Sequence, residues 1–181
     1  MRARLMPNVM QALAVGAWLT GPGMSAAAQE TGSRALPEEM VSFFTGAWSG
    51  AGAFADGRPI EADLEIESVL DGRFLRYRHS TRDPLTWDGL WIWGVDPASG
   101  DFIANVFDNR GLAREFESAG WRDDRLVLVT TYHSASADAR TFERFTYEKT
   151  SQDSFRMTFE RSRDGIEWRL GDYLDFERRE D

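Results

Sequence analysis

His79 and His133 are the only two imidazoles in the 181 residues, and there is no cysteine. An imidazole titrates near neutral pH, so either one offers a proton shuttle, a pocket donor, or a metal or haem ligand. Neither lies in a His-x-His or His-Glu-x-x-His pattern that would add a second ligand, and no zinc or other metal site is expected. There is no thiolate nucleophile, no Gly-x-Ser-x-Gly elbow and no glycine loop leading into a helix for phosphate. The carboxylates are numerous, but Glu61, Asp63, Glu65 and Glu67 form one solvated row and most others fall at turns. Asp172 is the exception, since it shares an apolar row with Trp168, Leu170, Leu174 and Phe176. Either a bulge at Gly171 turns it outward, the preferred reading, or it is an inward acid paired with Arg161. No catalytic residue is expected.

What positions these groups is a succession of short strands. From Trp48 onward the hydrophobic period is two. Ile60, Ala62, Leu64 and Ile66 alternate with the four acids, which gives a strand with one buried and one wet face. Asp71-Gly72 is a strong hairpin signal. As a two-residue loop it pairs Glu67 with Arg76, Glu65 with Arg78, Ile66 with Tyr77 and Leu64 with His79, so the charges meet outside and His79 faces in. Before it, an odd-length loop at Asp56-Gly57 keeps Trp48 inside beside Ile66, with Gly50 opposite Leu64 and Gly52 opposite Ala62. Trp87 to Val95, Phe102 to Asp108, Leu112 to Ala119, Leu126 to His133, Arg140 to Lys149, Phe155 to Ser162 and Ile166 to Arg178 read as further strands.

The turn at Asn109-Arg110-Gly111 places Val106 near Arg114 and Asp108 near Leu112. A two-residue Asp123-Asp124 turn would set His133 opposite Arg114, and a tight Asp164-Gly165 hairpin would make Glu160 and Arg169 an outer pair. About ten antiparallel strands joined to their sequence neighbours predict an all-β, up-and-down barrel, because closure removes exposed sheet edges. Pro37-Glu38-Glu39 opens a short helix whose Met40, Phe43 and Phe44 form an apolar side ending at Gly46. In a barrel this helix is a plug. An eight-strand barrel and a two-sheet sandwich are the alternatives.

The inner-face register gathers a candidate ligand-binding interior: Gly50, Gly52, Tyr77, His79, Trp91, Trp93, Asp108, Arg114, Phe116 and His133. Apolar walls with a few convergent polar groups suit a small molecule. The competing reading is that aromatics fill the barrel and leave no cavity. In that case the Trp87, Trp91 and Trp93 stripe would serve as an outer partner surface.

Residues 1–28 read as a secretory signal: Arg2 and Arg4, an apolar run from Val9 to Leu19, and Ala26-Ala27-Ala28 as the cleavage site. The run is too short for a membrane span. The expectation is export to the periplasm or beyond, cleavage after Ala28, and no membrane insertion afterwards. Residues 29–36 form a loose leader and 37–181 a single domain. Cleavage removes two arginines and no acid, taking the formal charge from −9 to −11, which disfavours nucleic acid as a partner.

With the strands placed, Gly46-Ala47-Trp48 resembles the Gly-x-Trp of lipocalins and the wider calycin barrels. That resemblance implies a helix before the first strand and an arginine from the last strand packed over the Trp, here Arg178, with Arg179 as the alternative. Trp48 and Arg178 are therefore structural residues. Phe44 to Gly52, Val69 to Leu75, Gly94-Val95-Asp96-Pro97, Phe107 to Gly111, Gly120-Trp121 and Asp164 to Trp168 resemble a bacterial lipocalin-like family of unknown function. It implies a barrel and no activity. Nitrobindin-like haem barrels are similar in the Gly-x-Trp-x-Gly-x-Gly opening, but take their haem ligand from a late histidine. Nothing after His133 is a histidine, so no cofactor is expected, and haem would have only His79 or His133. The leading expectation is a barrel that binds a small apolar or aromatic molecule without catalysis. A filled-core partner module comes second, and an enzyme using His79 and Arg114 third.

Overall fold

The computed structural model describes residues 35–82, 84–133 and 140–180, and of residues 131–133 the backbone alone. The proposed signal segment, most of the leader and the Ser134 to Ala139 loop lie outside the described residues. Helix α1 (Glu38–Phe44) leads into strands β1 (Gly46–Phe54), β2 (Pro59–Val69), β3 (Phe74–Thr81), β4 (Asp88–Val95) and β5 (Phe102–Asp108). Strands β6 (Ala113–Ser118), β7 (Arg125–His133), β8 (Arg140–Lys149), β9 (Ser154–Ser162) and β10 (Arg169–Arg178) complete the chain. Each strand pairs antiparallel with its sequence neighbours, and β1 pairs with β10 to close a ten-strand barrel. The eight-strand and sandwich alternatives are excluded.

The β2–β3 hairpin has the expected register, Ile66 with Tyr77 and Leu64 with His79. Asp71 and Gly72 both take positive φ, and Glu67 and Arg76 form an ion pair outside. The β1–β2 register differs from expectation by two residues. Trp48 faces Leu64, Gly50 faces Ala62, and it is Gly46 that sits beside Ile66. The loop is three residues long: Gly57 lies at φ 85 and its N–H donates to the Phe54 carbonyl at 2.9 Å. A shift of two keeps the parity, so Trp48 still points inward.

Three other pairings are corrected. The β9–β10 connection runs from Arg163 to Trp168, because the Asp164 carboxylate caps the Ile166 and Glu167 N–H groups at 2.8 and 2.9 Å and widens the turn. Glu160 then faces Leu170 and instead accepts from Arg144 Nε at 2.6 Å. On β7 the pairing of Glu117 with Val129 is one residue out of step with the Arg122–Arg125 bridge, so the alignment of His133 with Arg114 does not hold. A bulge does interrupt β10 between Leu170 and Asp172, but it is Leu170 that it turns out. Asp172 keeps the parity of buried Leu174 and Phe176.

Helix α1 closes the end of the barrel where β1 begins. Met40, Phe43 and Phe44 are buried, and Phe44 meets Trp93 and Phe155 edge-on at ring distances of 5.4 Å each. Arg178 locks this end. Its guanidinium lies 4.2 Å from the centre of the Trp48 ring and donates to the Thr45 and Phe43 carbonyls at 2.8 and 2.6 Å. Those carbonyls belong to the helix terminus, where a cation and a donor are both favourable. Trp48 Nε1 donates to the Phe44 carbonyl at 2.9 Å, so the same end is tied a third time.

Candidate functional site

The interior adjoining α1 is filled. Trp48, Tyr77, Trp91, Trp93, Tyr147 and Phe155 are each under 2% exposed. Tyr77 stacks on Trp91 at 5.9 Å, and Trp91 packs against Phe116 and Phe145 at 5.2 and 5.1 Å. Tyr77, Trp91, Trp93 and Phe116 therefore face inward as expected and serve as packing. The glycine wall is occupied as well. A side chain at Gly50 would collide with the Phe176 ring, and one at Gly52 with the Tyr173 backbone. Two concavities lie on the outer wall, about 710 Å³ beside Glu65, Arg78 and Phe107 and about 470 Å³ beside Ser49, Glu61 and Arg82.

The other end of the barrel, where β1 runs into β2, has a different character. A belt of polar contacts follows its inner rim. His79 on β3 stands edge-on to Trp87 at 5.0 Å, and Trp87 Nε1 donates to Asp108 Oδ2 on β5 at 3.4 Å. Arg114 on β6 donates from Nη2 to Asp108 Oδ2 at 3.1 Å and from Nη1 to Glu143 Oε2 on β8 at 2.6 Å. Glu143 also accepts from Arg161 Nε on β9 at 3.3 Å. Arg161 lies over Phe159 at 4.9 Å, and β10 brings Asp172 across from Phe159 on one side and Phe54 on the other.

Burial sets the electrostatics of this belt. The Asp108 and Glu143 side chains are 1% and 0% exposed and Arg114 is 10% exposed, which these charges tolerate only because they are paired. Asp108 also accepts from the Arg110 and Leu112 backbone at 3.0 and 3.1 Å, so the β5–β6 turn itself holds the carboxylate in place. Desolvation pulls the His79 pKa down to about 4, with the Asp88 charge opposing weakly, so its ring is neutral at physiological pH. Desolvation pushes Asp172 up to about 6, with the Arg161 charge pulling the other way. Two buried nitrogens on the belt, His79 Nε2 and Arg114 Nε, have no hydrogen-bond partner among the described residues.

The expected interior set thus divides in two. His79, Asp108 and Arg114 come together at the mouth, whereas the aromatic members pack below it. His133 ends β7 opposite Arg140, and its side chain lies outside the described residues. Trp91 and Trp93 are buried, and Trp87 leans over Gly89 at the rim, so the tryptophans do not form an outer stripe. Sequence reasoning missed Glu143, the most deeply buried acid of the belt. Its signal was present: it shares parity with Phe145 and Tyr147, both buried on β8. Among the described residues no cluster of three or more metal-ligating side chains occurs.

No protein-family model matches the chain, and no curated protein matches it. Among solved structures, a de novo designed fluorescence-activating β-barrel is similar, with a TM-score of 0.41 and 15% identity over 78% of this chain and 98% of that one.

Proposed function

We propose that this protein is a small-molecule binding barrel whose ligand rests at the mouth opposite α1, against Trp87, Phe54 and Phe159, and undergoes no covalent change there. The observation that carries the reading is the pair of buried, unpartnered nitrogens, His79 Nε2 and Arg114 Nε, on one rim. An unsatisfied buried polar atom costs about 1–3 kcal/mol, and a bound molecule that hydrogen-bonds it removes that cost. The ligand body is aromatic or apolar, matching the rings around it. Native mass spectrometry of the mature protein against an aromatic small-molecule set, paired with tryptophan fluorescence, tests this. Binding that is lost in Arg114→Met and perturbed in Trp87→Phe supports it; uniform failure to bind overturns it.

A second reading has its own observation, the side-chain filling of the interior below the belt. On that reading the barrel is a scaffold, and the exposed register neighbours Leu90 and Phe107 belong to a partner surface. Loss of association on Phe107→Glu, with ligand screens empty, would favour it. We further assign kinship with lipocalin-like calycin barrels on the joint arrangement of helix, Trp48 and Arg178. Export with cleavage after Ala28 is part of the same proposal. N-terminal sequencing of the protein from a periplasmic fraction tests it, and an intact Met1 there would dismiss it.

A further inference from the structure

We infer that the molecule taken at the mouth is an organic cation, an amine on an aromatic or aliphatic body that also carries one oxygen acceptor, with Asp172 as its counter-ion. This rests on the binding reading above and specifies its chemistry. The belt's other charges are already engaged. Arg114 spends both terminal nitrogens on Asp108 and Glu143, and Arg161 turns its Nε to Glu143. Asp172 is left as a carboxylate with no hydrogen bond among the described residues, flanked across the ladder by Phe54 and Phe159. It shares the Arg161 charge with Glu143, so the belt holds three carboxylates, Asp108, Glu143 and Asp172, against two guanidiniums, Arg114 and Arg161.

Two further features mark the rim as a place for a polar, cation-bearing molecule. Tyr77 Oη lies 3.3 Å from His79 Nδ1 and 4.0 Å from Met157 Sδ, so the imidazole is hydrogen-bonded on its inner side. His79 Nε2, on a residue only 5% exposed, has no partner among the described residues. The rim's rings are also already used by cations: Arg58 lies over Phe54 at 5.0 Å and Arg161 over Phe159 at 4.9 Å. Both arginine side chains are largely exposed, at 69% and 61%, so a ligand ammonium can take their place over the rings. Arg114 Nε is the opposite case, a donor without an acceptor, and it sets the requirement for one oxygen on the ligand. The chain's formal charge of −9 concentrates cations around it generally.

The test uses three probes with one phenol ring: tyramine, 4-ethylphenol and 3-(4-hydroxyphenyl)propionate, titrated into the mature protein at pH 8 with tryptophan fluorescence and native mass spectrometry as readouts. The expected result is tyramine binding at least about tenfold tighter than either of the others. Asp172→Asn should abolish that preference with the circular dichroism spectrum unchanged, and Asp172→Glu should restore part of it. Tightest binding of the propionate, or an amine preference that survives Asp172→Asn, overturns the cation assignment. Equal binding of tyramine and 4-ethylphenol, with the signal lost in Trp87→Phe, overturns the cation but leaves mouth binding standing. No binding of any probe overturns both.

Discussion

Arg114 Nη1 reaches Glu143 Oε2 at 2.6 Å, a pair that joins β6 to β8 over the top of β7. It spans the place where the barrel wall is thinnest in backbone pairing, since β6 and β7 share a single register pair, Glu117 with Val129. The buried ion pair is therefore a brace for a weak seam. Removing Glu143 leaves Arg114 buried with Asp108 alone. Glu143→Leu is expected to cost about 3 kcal/mol in urea unfolding, whereas Arg114→Met combined with Glu143→Leu should recover part of that loss.

Arg178 should be intolerant of a nominally conservative change. Its fork serves two helix-terminal carbonyls and the Trp48 face together, a geometry that a lysine cannot reproduce. Arg178→Lys is expected to lower stability by about 1–2 kcal/mol, with an altered tryptophan fluorescence maximum as the packing over Trp48 loosens.

Gly50 lies where the Phe176 ring crosses β1. Gly50→Ala should destabilise by about 2 kcal/mol through overpacking, measured by thermal melting. Combining it with Phe176→Leu should recover most of the loss, since the collision is with that ring. An unaffected midpoint in the single variant would remove Phe176 from this role.

His79 and Asp172 oppose one another in acid. His79 has its folded pKa lowered to about 4 from 6.5, so its contribution is present above the unfolded value and is lost as pH falls toward 4. Asp172 is raised to about 6 from 3.8, so its contribution is present below the unfolded value and is lost as pH rises through 6. Between pH 4 and 6 the two slopes cancel in large part. Asp172→Asn should expose a stability that rises with pH over that window, and His79→Gln one that falls. Chemical denaturation at several pH values reads both, and parallel curves for the two variants would contradict the pairing.

The β2–β3 register was legible because its outer row alternates acid against arginine while Asp71-Gly72 permits one short turn. The closed topology was legible for the same reason, strand after strand. The β1–β2 slip was not, because Gly50 and Gly52 carry no side chains that would make one register better than the next of equal parity. Glu143 was hidden by a different rule: an isolated acid in an apolar row reads as an error of register until its arginines are seen, and these come from β6 and β9. Asp172 was hidden by the bulge, whose existence the glycine announced but whose direction depends on packing beyond it.

Pairing of β1 with β10 constrains the order in which the chain can fold. Trp48 is synthesised well before Arg178, which covers it. The wall cannot close, and α1 cannot be clamped, until β10 has been made, so folding waits on contacts such as Arg178 to Thr45, 133 residues apart in the chain. The nascent chain consequently spends its synthesis without a finished sheet. That delay leaves unpaired strand edges open to aggregation while the chain is being made.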